Sequence, residues 1–71
     1  SNMIEIGDLV EVTTPDDDDG KIGVVTERGD QRVRPRGMES VSDPPWYDVL
    51  LLGDSEAKNF LCWEVVKRES Q

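Results

Sequence analysis

Lys21-Ile22-Gly23-Val24-Val25-Thr26-Glu27, entered from a turn at Gly20, is the stretch on which the reading of this chain depends. Side chains branched at Cβ crowd a helix and suit a pleated surface, so the run predicts a strand. Gly23 inside it marks a bend or a close approach of another backbone. The segments on either side have the length and patterning of strands that pair with it, which predicts an all-β fold with this run at its centre.

Upstream, Val10 and Val12 alternate with Glu11 and Thr13, the period-two signature of a strand with one buried face. Leu9 falls on the polar face of that strand. Pro15 ends it, having no amide hydrogen to give a ladder, and Asp16-Asp17-Asp18-Asp19-Gly20 forms a loop tip. Downstream, Tyr47, Val49 and Leu51 share one face of a third strand, with Trp46, Asp48, Leu50 and Leu52 on the other. Gly53-Asp54-Ser55 turns the chain into Lys58-Asn59-Phe60-Leu61-Cys62, with Phe60 and Cys62 inward. Trp63-Glu64 fits one tight helical turn before a short last strand, Val65-Val66-Lys67. The predicted strands are 8–13, 21–27, 46–52, 58–62 and 65–67. They are expected to close into a small antiparallel barrel with Val10, Val12, Ile22, Val24, Val49, Leu51, Phe60 and Val65 inside.

Size and composition bound the function. The chain has 71 residues; Ser1-Asn2 ahead of Met3 reads as a tag remnant, residues 3–68 as one domain and 69–71 as a frayed tail. A domain of this size buries only about 60% of the surface its unfolded chain exposes, so no deep cofactor cleft is expected. With no His, one Cys and no apolar run near the roughly 20 residues of a membrane helix, disulfide, imidazole-metal and membrane devices are not expected either. No charged, apolar leader precedes the domain, and the expected location is the cytoplasm.

Catalysis finds no obvious machinery. A nucleophile at Cys62 or a serine needs a neighbouring base, and the chain offers only carboxylates and lysines of ordinary type. Cys62 alternates with Phe60 and reads as a small buried hydrophobe. The aspartate run does not frame a calcium loop. Setting Gly20 at the required sixth position puts Pro15 first and Thr26 twelfth, where a bidentate Glu is needed. It reads as a solvated acidic turn that discourages edge pairing. The expectation is a non-enzyme with no metal and no cofactor.

Charge is unevenly spread. The net charge is −8, yet residues 28–44 carry four Arg against three acids. Phosphate backbones are bound by cations that displace condensed counterions, so this acidic chain is poorly suited to nucleic acid outside that segment. Residues 28–45 are too long for a simple hairpin turn, and loops beyond about 12–15 residues are commonly functional or disordered. Arg32, Arg34 and Arg36 alternate there, and in an extended chain would project from one side toward phosphates or carboxylates. The competing role for these arginines is to neutralise the domain's own acidic loops.

Gly7-Asp8-Leu9-Val10-Glu11-Val12, Gly20-Lys21-Ile22-Gly23-Val24-Val25, Tyr47-Asp48-Val49-Leu50-Leu51-Leu52-Gly53-Asp54 and Cys62-Trp63-Glu64-Val65-Val66 together resemble the small SH3-like barrels. That class includes the KOW and Tudor-type modules, and the chain is similar above all to short SH3-like proteins encoded by bacteriophages. The likeness covers residues 4–67, with the 28–45 stretch as an insertion. Gly-Lys-Ile-Gly-Val-Val is similar to the KOW core, and the resemblance implies a five-stranded barrel whose loops contact nucleic acid or protein. For a phage protein, the location it implies is the host cytoplasm. A Tudor-type cage needs three or four converging aromatics, and the chain has Trp46, Tyr47, Phe60 and Trp63, with Phe60 assigned to the core.

Two functions follow from these readings. The first is a non-catalytic protein-interaction module that uses the outer residues Trp46, Leu50, Leu52 and Trp63 with Arg32, Arg34 and Arg36 of the long loop, its partner another protein or a second copy of the chain. Partly exposed Trp and Arg are the residue types that most often dominate interface energies. The alternative is a KOW-like accessory factor whose Arg-rich loop touches nucleic acid.

Overall fold

The computed structural model describes residues 3–68; residues 1–2, read from the sequence as a tag remnant, and 69–71, read as a tail, lie outside the described residues. Five strands form one antiparallel sheet: β1 (Leu9–Val12), β2 (Ile22–Arg28), β3 (Trp46–Leu51), β4 (Lys58–Leu61) and β5 (Val65–Lys67). Their order across the sheet is β4-β3-β2-β1-β5, so the run quoted first is the central strand. A single 3₁₀ turn, η1 (Cys62–Glu64), connects the two edge strands. It is set by Glu64, whose Oε1 accepts the Leu61 N–H at 2.7 Å. All five strands lie within a residue or two of their expected spans. The ladder itself is open, with β4 and β5 as its edges.

The core lies on one face. Val10, Val12, Val25, Tyr47, Val49 and Leu51 are each no more than 1% exposed. Ile4, Phe60 and Val65 join them in one cluster, with Cys62 packed against it. Tyr47 of β3 and Val65 of β5 share this cluster although two strands separate theirs in the sheet, so the sheet is strongly curled. That follows from the right-handed twist of strands and a core too small to fill two flat layers.

One expectation fails on β2. The alternation places Ile22 and Val24 in the interior, but Val24 is 37% exposed and Ile22 half-buried, while Gly23 and Val25 are buried. The reason is a β-bulge between Val25 and Glu27. A bulge adds one unpaired residue and resets the alternation. Thr26 is that residue, its hydroxyl donating to the Asp48 carbonyl at 3.3 Å. The reset lets Val25 point inward while Glu27, two residues on, still points outward opposite Asp48.

The long β2–β3 connection folds upon itself. Turns close from Asp30 O to Val33 N, Pro35 O to Met38 N and Met38 O to Val41 N. Met38, Pro44 and Pro45 are buried. At its base the Gly29 N–H donates to the Trp46 carbonyl and the Cys62 N–H to the Pro45 carbonyl.

Candidate binding surface

The outer face of the sheet is apolar where alternation would ordinarily make it polar. Leu9 of β1 is directly opposite Val24 of β2, which is directly opposite Leu50 of β3. These three are 37%, 37% and 38% exposed, forming one row across the three central strands. The neighbouring row runs from Val66 of β5 through Glu11 to Ile22, and Leu52, 75% exposed, continues it through its N–H to the Ile22 carbonyl. The one acid within these rows, Glu11, is met by Arg68 at 3.3 Å. Scattered exposed aliphatics are normal on a protein surface, whereas a contiguous set marks an interaction face.

The sequence-predicted residues come from three different elements, β3, η1 and the β2–β3 connection. Trp46 is half-buried on β3 opposite Leu61, and its indole covers Gly29 so closely that a Cβ there would stand 2.8 Å from Nε1. Trp63 projects from η1, 60% exposed. The arginine loop does not hold an extended conformation, because the chain turns at 31–32 and again at 36–37. Arg32 folds back onto Asp30, with Nε 3.3 Å from Oδ1 and Nη2 3.3 Å from Oδ2. The Arg32 N–H, donating to the same carboxylate at 2.9 Å, is the first cause that pulls the Asp30 pKa down, ahead of the Arg32 side chain. Arg34 donates to the carbonyls of Val33 and Ser42. Arg36 is exposed and makes no ion pair among the described residues. No hydrogen bond joins Trp63 to any of the three arginines among those residues.

The sequence alone does not show Leu9 and Val24 to be members of one surface. The signal was present in Leu9, which falls on the polar face of β1, but its neighbour across the ladder depends on the β2 phase that the bulge sets.

The acidic turn is used structurally. Asp16 Oδ1 accepts the Asp18 N–H at 2.8 Å. Asp18, its side chain 14% exposed, takes Lys21 and Lys58 at 3.0 Å each. This joins the β1–β2 turn to the start of β4. Hydrogen bonding from Lys21, then from Lys58, holds the Asp18 carboxyl below its usual 3.8. Asp8 is also depressed, chiefly by the Glu5 N–H and then by Lys67. A folded-state pKa below the unfolded one contributes stability that is present above the unfolded value and lost as pH falls through the folded value. The thermal midpoint should therefore hold from neutrality down to about pH 5 and fall below about pH 4. Asp18→Asn should flatten that fall in melts followed by circular dichroism. An unchanged acid limb would show that the clamp does not bear on folding.

Among the described residues no group of three or more Cys, Asp or Glu is placed to hold a metal ion, and no helix is long and apolar enough to cross a membrane. Cys62 is a free, half-buried thiol whose pKa is pushed up by burial and, secondarily, by Asp43. Comparison with protein-family models, curated proteins and solved structures finds no match.

Proposed function

We propose that this chain is a non-catalytic, SH3-like protein-interaction module whose outer sheet face binds a partner carrying apolar and basic side chains. The Leu9–Val24–Leu50 row carries the reading. Supporting the SH3-like assignment is the strand order β4-β3-β2-β1-β5, with a 3₁₀ turn between the last two strands and a core that spans from β3 to β5. A curled sheet of this order makes a barrel once its edges are brought together by η1. The net charge of −8 selects the partner. A second copy would set two strongly acidic domains against each other, whereas a basic partner is steered in. Trp63, exposed on η1, and Arg36, exposed on the long loop, are further side chains open to a partner.

The test compares the parent with Leu9→Thr/Leu50→Thr and with Trp63→Ala/Arg36→Ala. Threonine is β-branched and favoured in strands, and both positions are exposed, so the thermal midpoint should stay near the parent's. With a partner recovered by cross-linking, affinity should drop at least about tenfold in the first variant, matching two truncated interface aliphatics, and persist at high salt in the parent. If the parent instead retains nucleic acid, lost steeply with salt, and the arginine variant abolishes that retention, the KOW-like alternative takes its place.

A further inference from the structure

An open cavity of about 300 Å³ lies beside the edge strand β5, walled by Ile4, Asp43, Tyr47, Cys62 and residues 65–67. Its walls come from the segment before β1 (Ile4), the end of the long loop (Asp43), β3 (Tyr47), η1 (Cys62) and β5 (residues 65–67). Tyr47 is 1% exposed. Buried tyrosine hydroxyls ordinarily find a hydrogen-bond partner, but none among the described residues bonds to this one. The only fully enclosed, unpartnered side-chain oxygen among those residues is Thr14 Oγ1. The Tyr47 hydroxyl is therefore not sealed, and opens onto the cavity that its ring lines.

The second polar wall is Asp43, whose carboxylate makes no ion pair or hydrogen bond among the described residues. Its charge reaches the Tyr47 hydroxyl and the Cys62 thiol, in both of which it stands next after burial in disfavouring ionisation. The one cation in the wall, Lys67, is engaged elsewhere, its Nζ 3.3 Å from Asp8 Oδ2. A carboxylate that receives no donor and a hydroxyl that has no partner thus share a cavity with the aliphatic side chains of Ile4 and Val65. An anion would meet Asp43 with Lys67 already taken, and a neutral group would leave the carboxylate unanswered.

We propose that this cavity receives a guanidinium or ammonium group on an aliphatic stem, the cation between the Asp43 carboxylate and the Tyr47 hydroxyl and the stem against Ile4 and Val65. The site meets the outer face at Val66, which borders both, but its polar groups lie off that face and it does not depend on the function assigned to it. The same chemistry is presented by a free alkylguanidine or polyamine and by an arginine or lysine side chain of a protein.

The test is a titration followed by amide and tyrosine-ring NMR. One arm uses n-butylguanidinium; a second uses a capped pentapeptide with one central arginine among glycines; n-butanol and n-butyrate are the neutral and anionic controls. Saturable shifts at Tyr47, Cys62 and Val65 are expected with n-butylguanidinium, with a dissociation constant on the order of 1 mM for so small a ligand. Neither control should saturate. Asp43→Asn should weaken binding about tenfold or more, because it removes a charge-assisted hydrogen bond, and Tyr47→Phe should weaken it less. Tighter binding of the peptide than of n-butylguanidinium assigns the natural ligand to a protein side chain, and the reverse assigns it to a small molecule. Shifts that never saturate, that centre on Asp16–Asp19, or that are unchanged in a folded Asp43→Asn variant overturn the proposal.

Discussion

Replacing Gly23 by alanine is expected to lower the thermal midpoint by about 12–24 °C, corresponding to roughly 3 kcal/mol in a domain of this size. A Cβ at Gly23 would stand 2.5 Å from the Leu50 carbonyl oxygen, 2.7 Å from Val49 Cγ1 and 2.9 Å from the Leu50 carbonyl carbon. Two of those three atoms are backbone, so no rotamer change relieves the clash. Relief requires β3 to move away from β2, in the stretch where Gly23 pairs with Leu51 and Val24 with Leu50. Total stability at about 0.05–0.15 kcal/mol per residue leaves a domain this small with only several kcal/mol to lose. Gly20→Ala is the control. Gly20 has φ +84° with nothing within 4 Å of its Cβ position, so alanine meets only the left-handed backbone cost of about 1–2 kcal/mol. Melts that place Gly23→Ala within about 4 °C of the parent, or below Gly20→Ala in effect, would refute the close approach of β2 to β3.

That Gly23 marks a close backbone approach is readable from the sequence because a glycine within a β-branched run has few other reasons to be there. The strand positions are legible for similar reasons. Val10 and Val12 alternate with polar residues, and Pro15, Gly20 and Gly53 punctuate the runs. The phase of β2 is not legible, since Val24 and Val25 are adjacent and equally apolar, and a one-residue shift exchanges the two faces. Only the ladder, with its extra residue at Thr26, decides between them. The candidate surface inherits that ambiguity. Leu50 and Leu52 are visibly on the face away from Tyr47, Val49 and Leu51, but the row they belong to exists only once the registers of β1, β2 and β3 are known. The arginines mislead for a local reason: alternation implies one side only if the chain is extended, and the Asp30 carboxylate and Gly37, at φ +88°, bend it instead. The inward ring of Tyr47 follows from its strand, whereas the cavity at its hydroxyl depends on Asp43 and Cys62 arriving from other elements.

Tyr47 should titrate with a midpoint near 12 in the folded protein, against an ordinary value of 10.0. Burial is the first cause, since ionising the phenol would leave a charge in the core; the negative charge of Asp43 is the second, and Arg28 partly offsets them. The chain has one tyrosine, so the phenolate absorbance reports on this ring alone. Because the folded value lies above the unfolded one, the stability conferred by the neutral phenol is complete below about pH 10 and disappears as pH rises through about 12. Resistance to denaturant should therefore decline across that window as the phenolate signal rises. In concentrated denaturant the midpoint should return to about 10. Asp43→Asn should lower the folded midpoint while leaving the larger contribution of burial in place, and Tyr47→Phe should abolish the alkaline transition specific to this ring. A phenolate signal that appears at about pH 10 with the fold intact would mean that the hydroxyl is freely solvated. In that case the hydroxyl does not sit in the sheltered cavity beside β5 that the cation site requires.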